Sequence, residues 1–330
     1  MTSSNPMEIL QLAGNGYALA RSVRVVGRLG VADQIDGKLR SAEELAELVG
    51  ADADALQRVM RLLAANGIFE MCEGRFGHSE ASRMLRRDHP HTMLPLLEML
   101  GLPIFWRVYE ELEYSVVTGR AAIEKVIPEG FWRYLAEHPE ENSAFNLAMA
   151  VKAQGQIPAI IGNYDFGSMA SIADIGGGRG HLLRAILASC PKMKGVLFDQ
   201  PHVIAESAKE PSQGVILQAG DFFADRLPAC DGYLLMEILH DWPDGDSVRI
   251  LRAIRAAAPP HARLLVLESL IRDQPGPDWL KVLDIHMLVL FGGRQRTLEE
   301  YKAILGEGGF LFSREIDTGA GISLIEALPN

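Results

Sequence analysis

Cysteine is scarce in this 330-residue chain. Its three thiols, Cys72, Cys190 and Cys230, stand far apart, with no Cys or His beside them at metal-ligand spacing. Neither a disulfide scaffold nor a metal site is expected, and reduced thiols point to a cytoplasmic setting. No apolar run approaches about 18 residues, so no membrane span is expected. Met1–Leu10 lacks a basic segment followed by an apolar one, so a secretory leader is not expected either. Positive charge is in deficit: 32 Lys and Arg face 43 Asp and Glu, a net charge of −11. Such a surface repels phosphate backbones, and nucleic acid is not an expected partner. What is present is an ordinary globular composition, 48% hydrophobic and 23% charged, at a length that suits two domains.

From Leu10 to about Met99 the pattern is helical with short breaks. Ser41-Ala-Glu-Glu44 reads as a capping box opening a helix that stops at Gly50. Asp54 to Asn66 places Leu56, Val59, Leu62 and Leu63 on one face, with Gly67 beyond its end. Ile68–Met71 and Arg75-Phe76 flank Glu73-Gly74, the pattern of a small hairpin. Helix, turn, helix and hairpin together read as a winged helix. A DNA-binding role needs a basic face, yet residues 1–100 hold 11 Lys and Arg against 13 Asp and Glu. A structural or dimerisation role for residues 1–100 is therefore favoured over a DNA-binding regulator.

Residues 101–165 read as helical and rich in large apolar groups, including Phe105, Trp106, Phe131, Trp132, Phe145 and Met149. Most suit core packing; a few could line a pocket for a flat ligand. From Ser171 the period changes. Short apolar runs at Ser171–Ile175, Gly195–Phe198, Val215–Ala219, Gly232–Met236 and Arg263–Glu268 alternate with helical stretches. That alternation implies an α/β fold built on a parallel sheet with helices on both faces. The tail, with Ser323–Ala327, is expected to add an antiparallel edge.

In such a sheet, ligands bind at the carboxyl ends of strands near the topological switch point. The first strand ends in Asp174-Ile-Gly-Gly-Gly-Arg-Gly180 and runs into the helix predicted over His181–Ser189. Glycines there admit a ligand close to the backbone, and the helix start favours a negative group. A dinucleotide fingerprint would require glycine where His181 stands, which disfavours a hydride-transferring dehydrogenase. Asp199 closes the next strand, where a carboxylate suits a ribose diol. Asp221 follows the third, with Phe222 available against a flat base. Each acid alone reads as a loop residue or cap; three at successive strand ends point to a nucleoside-like ligand. The fourth strand leads to His240 and Trp242 at the same edge, and histidine suits proton abstraction near neutral pH.

These segments resemble the S-adenosylmethionine-dependent O-methyltransferases of the plant caffeate and acetylserotonin type, which include bacterial natural-product enzymes. The resemblance rests on Ala173–Gly180, Phe198–Pro201, Gly220–Phe223, Ile238–Trp242 and Gly292-Gly-Arg-Gln-Arg-Thr297, and it spans nearly the whole chain. It implies a Rossmann-like S-adenosylmethionine-binding sheet at 101–330 and a winged-helix dimerisation domain at 1–100, hence a homodimer. It also implies methyl transfer from S-adenosyl-L-methionine to a hydroxyl, expected to be phenolic, of a small aromatic metabolite, without a metal. Gly176 and Gly178 would border the methionine part, Asp199 the ribose, and Asp221 and Phe222 the adenine, with Asp174, Met236 and Trp242 also at the cofactor. His240 would be the general base, Glu268 its orienting carboxylate, and Gln295 its second neighbour. Phe145, Met149, Ile285, His286 and Met287 fall where the family lines its acceptor pocket.

Two departures stand out. The family places a carboxylate where this chain has Gln295, an amide without the charge that stabilises imidazolium, so His240 is expected to be a weaker base. It also often places a lysine where this chain has Met236, removing one polar contact to the cofactor. The first departure keeps a second reading open, a relative that supports hydroxylation or decarboxylation without methyl transfer.

Overall fold

Ser41 opens the helix Ala42–Val49: its Oγ accepts from Glu44 N (3.3 Å), and Glu44 accepts from Ser41 N (2.7 Å). The helix ends at Gly50 in the left-handed region. In this computed structural model, which describes residues 5–210, 213–272 and 274–330, the chain divides by its contacts into two units. One is Met1–Trp106 with Glu140–Val151; the other is Arg107–Pro139 with Lys152–Asn330. The long helix Pro139–Asn163 thus serves both, a sharing that no shift in composition announces.

In the first unit the helix Ala53–Ala65 is capped by Asp52, whose Oδ1 accepts from Ala55 N (2.9 Å). It buries Leu56, Met60 and Leu63 against Val26, Leu45, Phe69 and Phe76. Strands β1 (Phe69–Cys72) and β2 (Arg75–His78) pair antiparallel. They turn through Glu73 and Gly74 at φ 48° and 75°, the positive pair that suits the twist of a two-residue hairpin.

The second unit carries a seven-stranded sheet. Its strands are β3 (Ser171–Ile175), β4 (Lys194–Asp199), β5 (Val215–Ala219), β6 (Gly232–Met236), β7 (Arg263–Glu268), β8 (Phe310–Asp317) and β9 (Ser323–Pro329). The order is β5-β4-β3-β6-β7-β9-β8. β3 to β7 run parallel; β9 pairs antiparallel with β7 and β8. The tail therefore adds two antiparallel strands, with β8 outermost. Ile172, Leu234 and Leu265 enter one core cluster while Ala173, Tyr233 and Leu264 enter the other. Burial on both faces is why these strands read as unbroken apolar runs. The order reverses between β3 and β6, which opens a crevice at their carboxyl ends. Among the described residues no helix is long and apolar enough to cross a membrane.

Candidate active site

The turn out of β3 is built on glycine. Gly176, Gly178 and Gly180 have φ of 72°, 60° and 75°, a region where a side chain is strained. A Cβ on Gly177 would stand 2.3 Å from Asp174 Cγ. Gly176 N donates to Phe198 O (2.8 Å), which ties the loop to the end of β4. Asp199 ties it again: Oδ2 accepts from Gly178 N (2.8 Å) and Oδ1 from Gln200 N (2.7 Å). Each oxygen keeps a lone pair for a ligand hydroxyl. Burial raises the Asp199 pKa against the pull of those N–H groups. Asp174 is 2% exposed and its Oδ1 has no hydrogen-bond partner. Burial and the Asp199 charge push its pKa up to about 7. A buried acceptor without a donor beside an open glycine backbone fits a cationic, hydroxyl-bearing group such as S-adenosylmethionine.

Asp221 is exposed, and its Oδ1 accepts from Phe223 N (2.8 Å), closing its own turn. Phe222 packs edge-on to Phe223 (4.8 Å) and Trp242 (5.8 Å). A Cβ on Gly176 would lie 2.7 Å from Ile238 and 3.9 Å from Phe222, so the glycine turn, Phe222 and Ile238 adjoin. Ile238 is a neighbour the sequence did not single out. Met236, half-buried at the end of β6, packs against the core on the Ile172 face.

His240 is 6% exposed in a short 3-10 turn after β6. Glu268, fully buried at the end of β7, accepts from His240 N through Oε1 (3.2 Å) and places Oε2 3.4 Å from His240 Nδ1. Gln295 Nε2 lies 2.8 Å from the same Nδ1, while Gln295 Oε1 is buried without a partner. Burial lowers the His240 pKa to about 4, Lys152 and Arg296 adding to the fall and the Glu237 charge opposing it. Burial is the largest cause of that fall, where the sequence had drawn attention to the amide of Gln295. Burial also raises Glu268 to about 8, with the Glu237 and Asp241 charges adding to it.

The loop that carries His240 is clamped from the Gly292–Thr297 segment. Arg296, with no exposed surface, donates to Leu239 O (2.7 Å) and Trp242 O (2.8 Å) and pairs with Asp244 (2.7 Å). Arg294 N donates to His240 O (2.9 Å). A Cβ on Gly293 would stand 2.1 Å from that same oxygen, so only glycine fits. Gly293, Arg294 and Arg296 thus act on the backbone around His240, whereas sequence reasoning attended to Gln295.

Sequence reasoning also passed over three charged neighbours. Asp241 Oδ1 lies 3.4 Å from His240 Nε2, on the imidazole edge away from Glu268. Glu237 has φ 53°, rare for a residue with a side chain, and pairs with Lys152 (2.5 Å). Burial raises the Glu237 pKa, but the Lys152 and His240 contributions bring it below the ordinary value. The positive φ and a partner 85 residues away leave no local signal in the chain.

Phe145 and Met149 are half-buried, one turn apart on the helix Pro139–Asn163. Ile285, His286 and Met287 follow one another on the helix Trp279–Leu290, so they project about 100° apart. Ile285 is 37% exposed and Met287 6%, and the three do not share one wall. His286 Nδ1 meets Tyr109 OH at 2.8 Å. Burial lowers the His286 pKa and raises Tyr109 to about 12, so both are neutral near pH 7.

Known proteins place this geometry. The O-methyltransferase domain family matches residues 109–311, and the O-methyltransferase dimerisation domain family matches residues 11–88. Phenazine O-methyltransferase PhzM of Lysobacter antibioticus is 38% identical over 320 residues, 95% of this chain and 94% of that protein. The mitomycin biosynthesis 6-O-methyltransferase of Streptomyces lavendulae is 36% identical, over 92% of this chain and 88% of its own length. The crystal structure of NcsB1, an O-methyltransferase from neocarzinostatin biosynthesis, contains S-adenosylmethionine and 2-hydroxy-5-methyl naphthoic acid. It superposes with a TM-score of 0.80 at 30% identity, over 95% of this chain and 96% of that one. With its glycine turn, acids at successive strand ends and buried histidine, the chain belongs to the S-adenosylmethionine-dependent O-methyltransferase family.

Proposed function

We propose that this enzyme methylates a phenolic hydroxyl of a small aromatic metabolite, with His240 as the general base. The observation that carries this is the asymmetry of the His240 imidazole. Nδ1 faces the buried pair Glu268 and Gln295, and Nε2, with only Asp241 Oδ1 near it at 3.4 Å among the described carboxylates, is the nitrogen that would meet a substrate proton.

For Nε2 to accept a proton, Nδ1 must carry one. An amide's two ends have nearly the same shape, so Gln295 can present Oε1 to Nδ1–H by turning over. Its unpartnered Oε1 supports that arrangement, and Glu268 Oε2 stands ready on the same side. With its pKa near 4, His240 is neutral at physiological pH and competent to accept, but it is a weak base. Proton transfer works best when donor and base are matched, so an acidic phenol suits it and an aliphatic alcohol does not.

Asp174, Gly176, Gly178 and Asp199 would hold S-adenosylmethionine at the β3 and β4 ends, with Phe222 and Trp242 beside its flat base and Asp221 and Met236 at the margin. The chemistry supplied there is an activated methyl on a sulfonium. The side chains orient the acceptor, and the clamp by Arg296 and Gly293 holds the His240 loop in register, a positioning effect that can reach about 7–11 kcal/mol. Phe145, Met149, Ile285, His286 and Met287 remain candidates for acceptor contact. NcsB1, solved with a hydroxylated naphthoic acid, and PhzM, named for phenazine, support an aromatic acceptor. A homodimer through the N-terminal unit accords with the dimerisation-family match and with the helix Pro6–Gly14, whose Met7, Ile9, Leu10 and Leu12 are all exposed.

The test is His240→Ala, assayed for methyl transfer to phenols beside S-adenosylhomocysteine binding. Turnover is expected to fall about 10²- to 10⁴-fold with binding retained; undiminished turnover would overturn the assignment.

A further inference from the structure

Lys152 lies on the helix Pro139–Asn163, three residues beyond Met149. Its side chain is 30% exposed and its ammonium is held 2.5 Å from Glu237 Oε1, and among the described residues this is its only hydrogen bond. An ammonium has three donors, so two remain for a ligand. Glu237 is the residue that leaves β6, three before His240, and the backbone adopts φ 53° there. A non-glycine residue in that region is strained, and such strain gathers at functional sites because the surrounding structure holds it. Its side chain is only 14% exposed, so the carboxylate is committed to Lys152. The partner cation is the more accessible half.

We infer that Lys152, locked by Glu237 beside His240, is a carboxylate-binding subsite. The inference rests on the methyltransferase reading above and adds a chemical class to it. Two carboxylates could take the spare donors. One is an acid group on an aromatic acceptor; the other is the amino-acid tail of S-adenosylmethionine, which Met236 gives no polar contact. Either would form charge-assisted hydrogen bonds with the ammonium. Burial favours the neutral forms of Asp241 and Glu268, which lessens the opposition of those two groups to an incoming anion, while Glu237 stays the ammonium's own counter-ion.

Removing Lys152 alone would strand the Glu237 carboxylate, so the informative variant is the double change Lys152→Met with Glu237→Gln, which removes both charges. Calorimetry reads two arms. One titrates S-adenosylhomocysteine. The other titrates 1,4-dihydroxy-2-naphthoate against 1,4-dihydroxynaphthalene on protein saturated with S-adenosylhomocysteine, so that the two probes differ by one carboxylate. A weakening of about tenfold to a hundredfold is expected in one arm. Loss confined to the naphthoate assigns the subsite to the acceptor; loss confined to S-adenosylhomocysteine assigns it to the cofactor's tail.

The inference is overturned if neither arm moves, or if the two naphthalenes weaken equally. Lys152→Arg, which keeps the cation, is expected to preserve the affinity that the double variant loses. If the double variant does not fold, Lys152→Gln, whose amide N–H can still donate to Glu237, takes its place, judged by the same two arms. Failure of both naphthalenes to bind the wild type would count against the phenolic reading, while the S-adenosylhomocysteine arm would still decide the subsite.

Discussion

His240 Nδ1 and the Gln295 side-chain amide stand 2.8 Å apart in the buried interior, an imidazole held by a neutral group. A carboxylate at position 295 would favour the imidazolium; the amide does not.

That relationship sets a pH prediction. Nε2 must be unprotonated to act, so activity is present above the His240 pKa and lost below it. With that pKa lowered by burial to about 4, titration of His240 should add no acid limb to the wild-type kcat/KM between about pH 8 and about pH 6. Gln295→Glu brings an anion beside Nδ1 and should raise the pKa by about 1–3 units, carrying the acid limb upward by the same amount. A pH–rate profile for the two proteins checks this; an unmoved limb would show that residue 295 does not set the basicity.

A second prediction concerns the cofactor. Asp199 binds the glycine turn through Gly178 N and its own turn through Gln200 N, and each oxygen keeps a lone pair for a ligand. Asp199→Ala should weaken S-adenosylhomocysteine about 10- to 100-fold, the size of one or two hydrogen bonds to a charged group. Calorimetric titration measures it, and an unchanged affinity would move the ribose site elsewhere.

A third concerns the clamp. Gly293→Ala would set a methyl 2.1 Å from His240 O, against backbone that Arg294 N and Arg296 hold in place. Overpacking of this kind costs about 1–3 kcal/mol. The thermal midpoint should drop, and turnover should fall further than stability alone accounts for, because the atoms displaced belong to the histidine's own peptide. A melting curve identical to wild type would contradict it.

Much of the sheet was legible in the chain. The runs at Ser171–Ile175, Val215–Ala219, Gly232–Met236 and Arg263–Glu268 coincide with β3, β5, β6 and β7; β3, β6 and β7 are largely buried on both faces and so read as apolar runs, while the edge strand β5 is only partly buried. The capping box at Ser41 and the turn at Glu73-Gly74 were equally local, since caps and tight turns use neighbours a few residues away. The chain also ordered its own chemistry, bringing glycines, acids and a histidine to successive strand ends.

Tertiary structure alone decided who holds whom. The glycine clamp on His240 O, the grip of Arg296 on Leu239 and Trp242, and the Lys152–Glu237 pair each join residues tens of positions apart. No periodicity encodes such pairs, because they depend on where separate elements are brought together by packing. The basicity of His240 belongs with them. Residue type places a histidine near neutrality; burial above all, with the Lys152 and Arg296 charges adding to it, lowers it to about 4, and these are properties of the folded core.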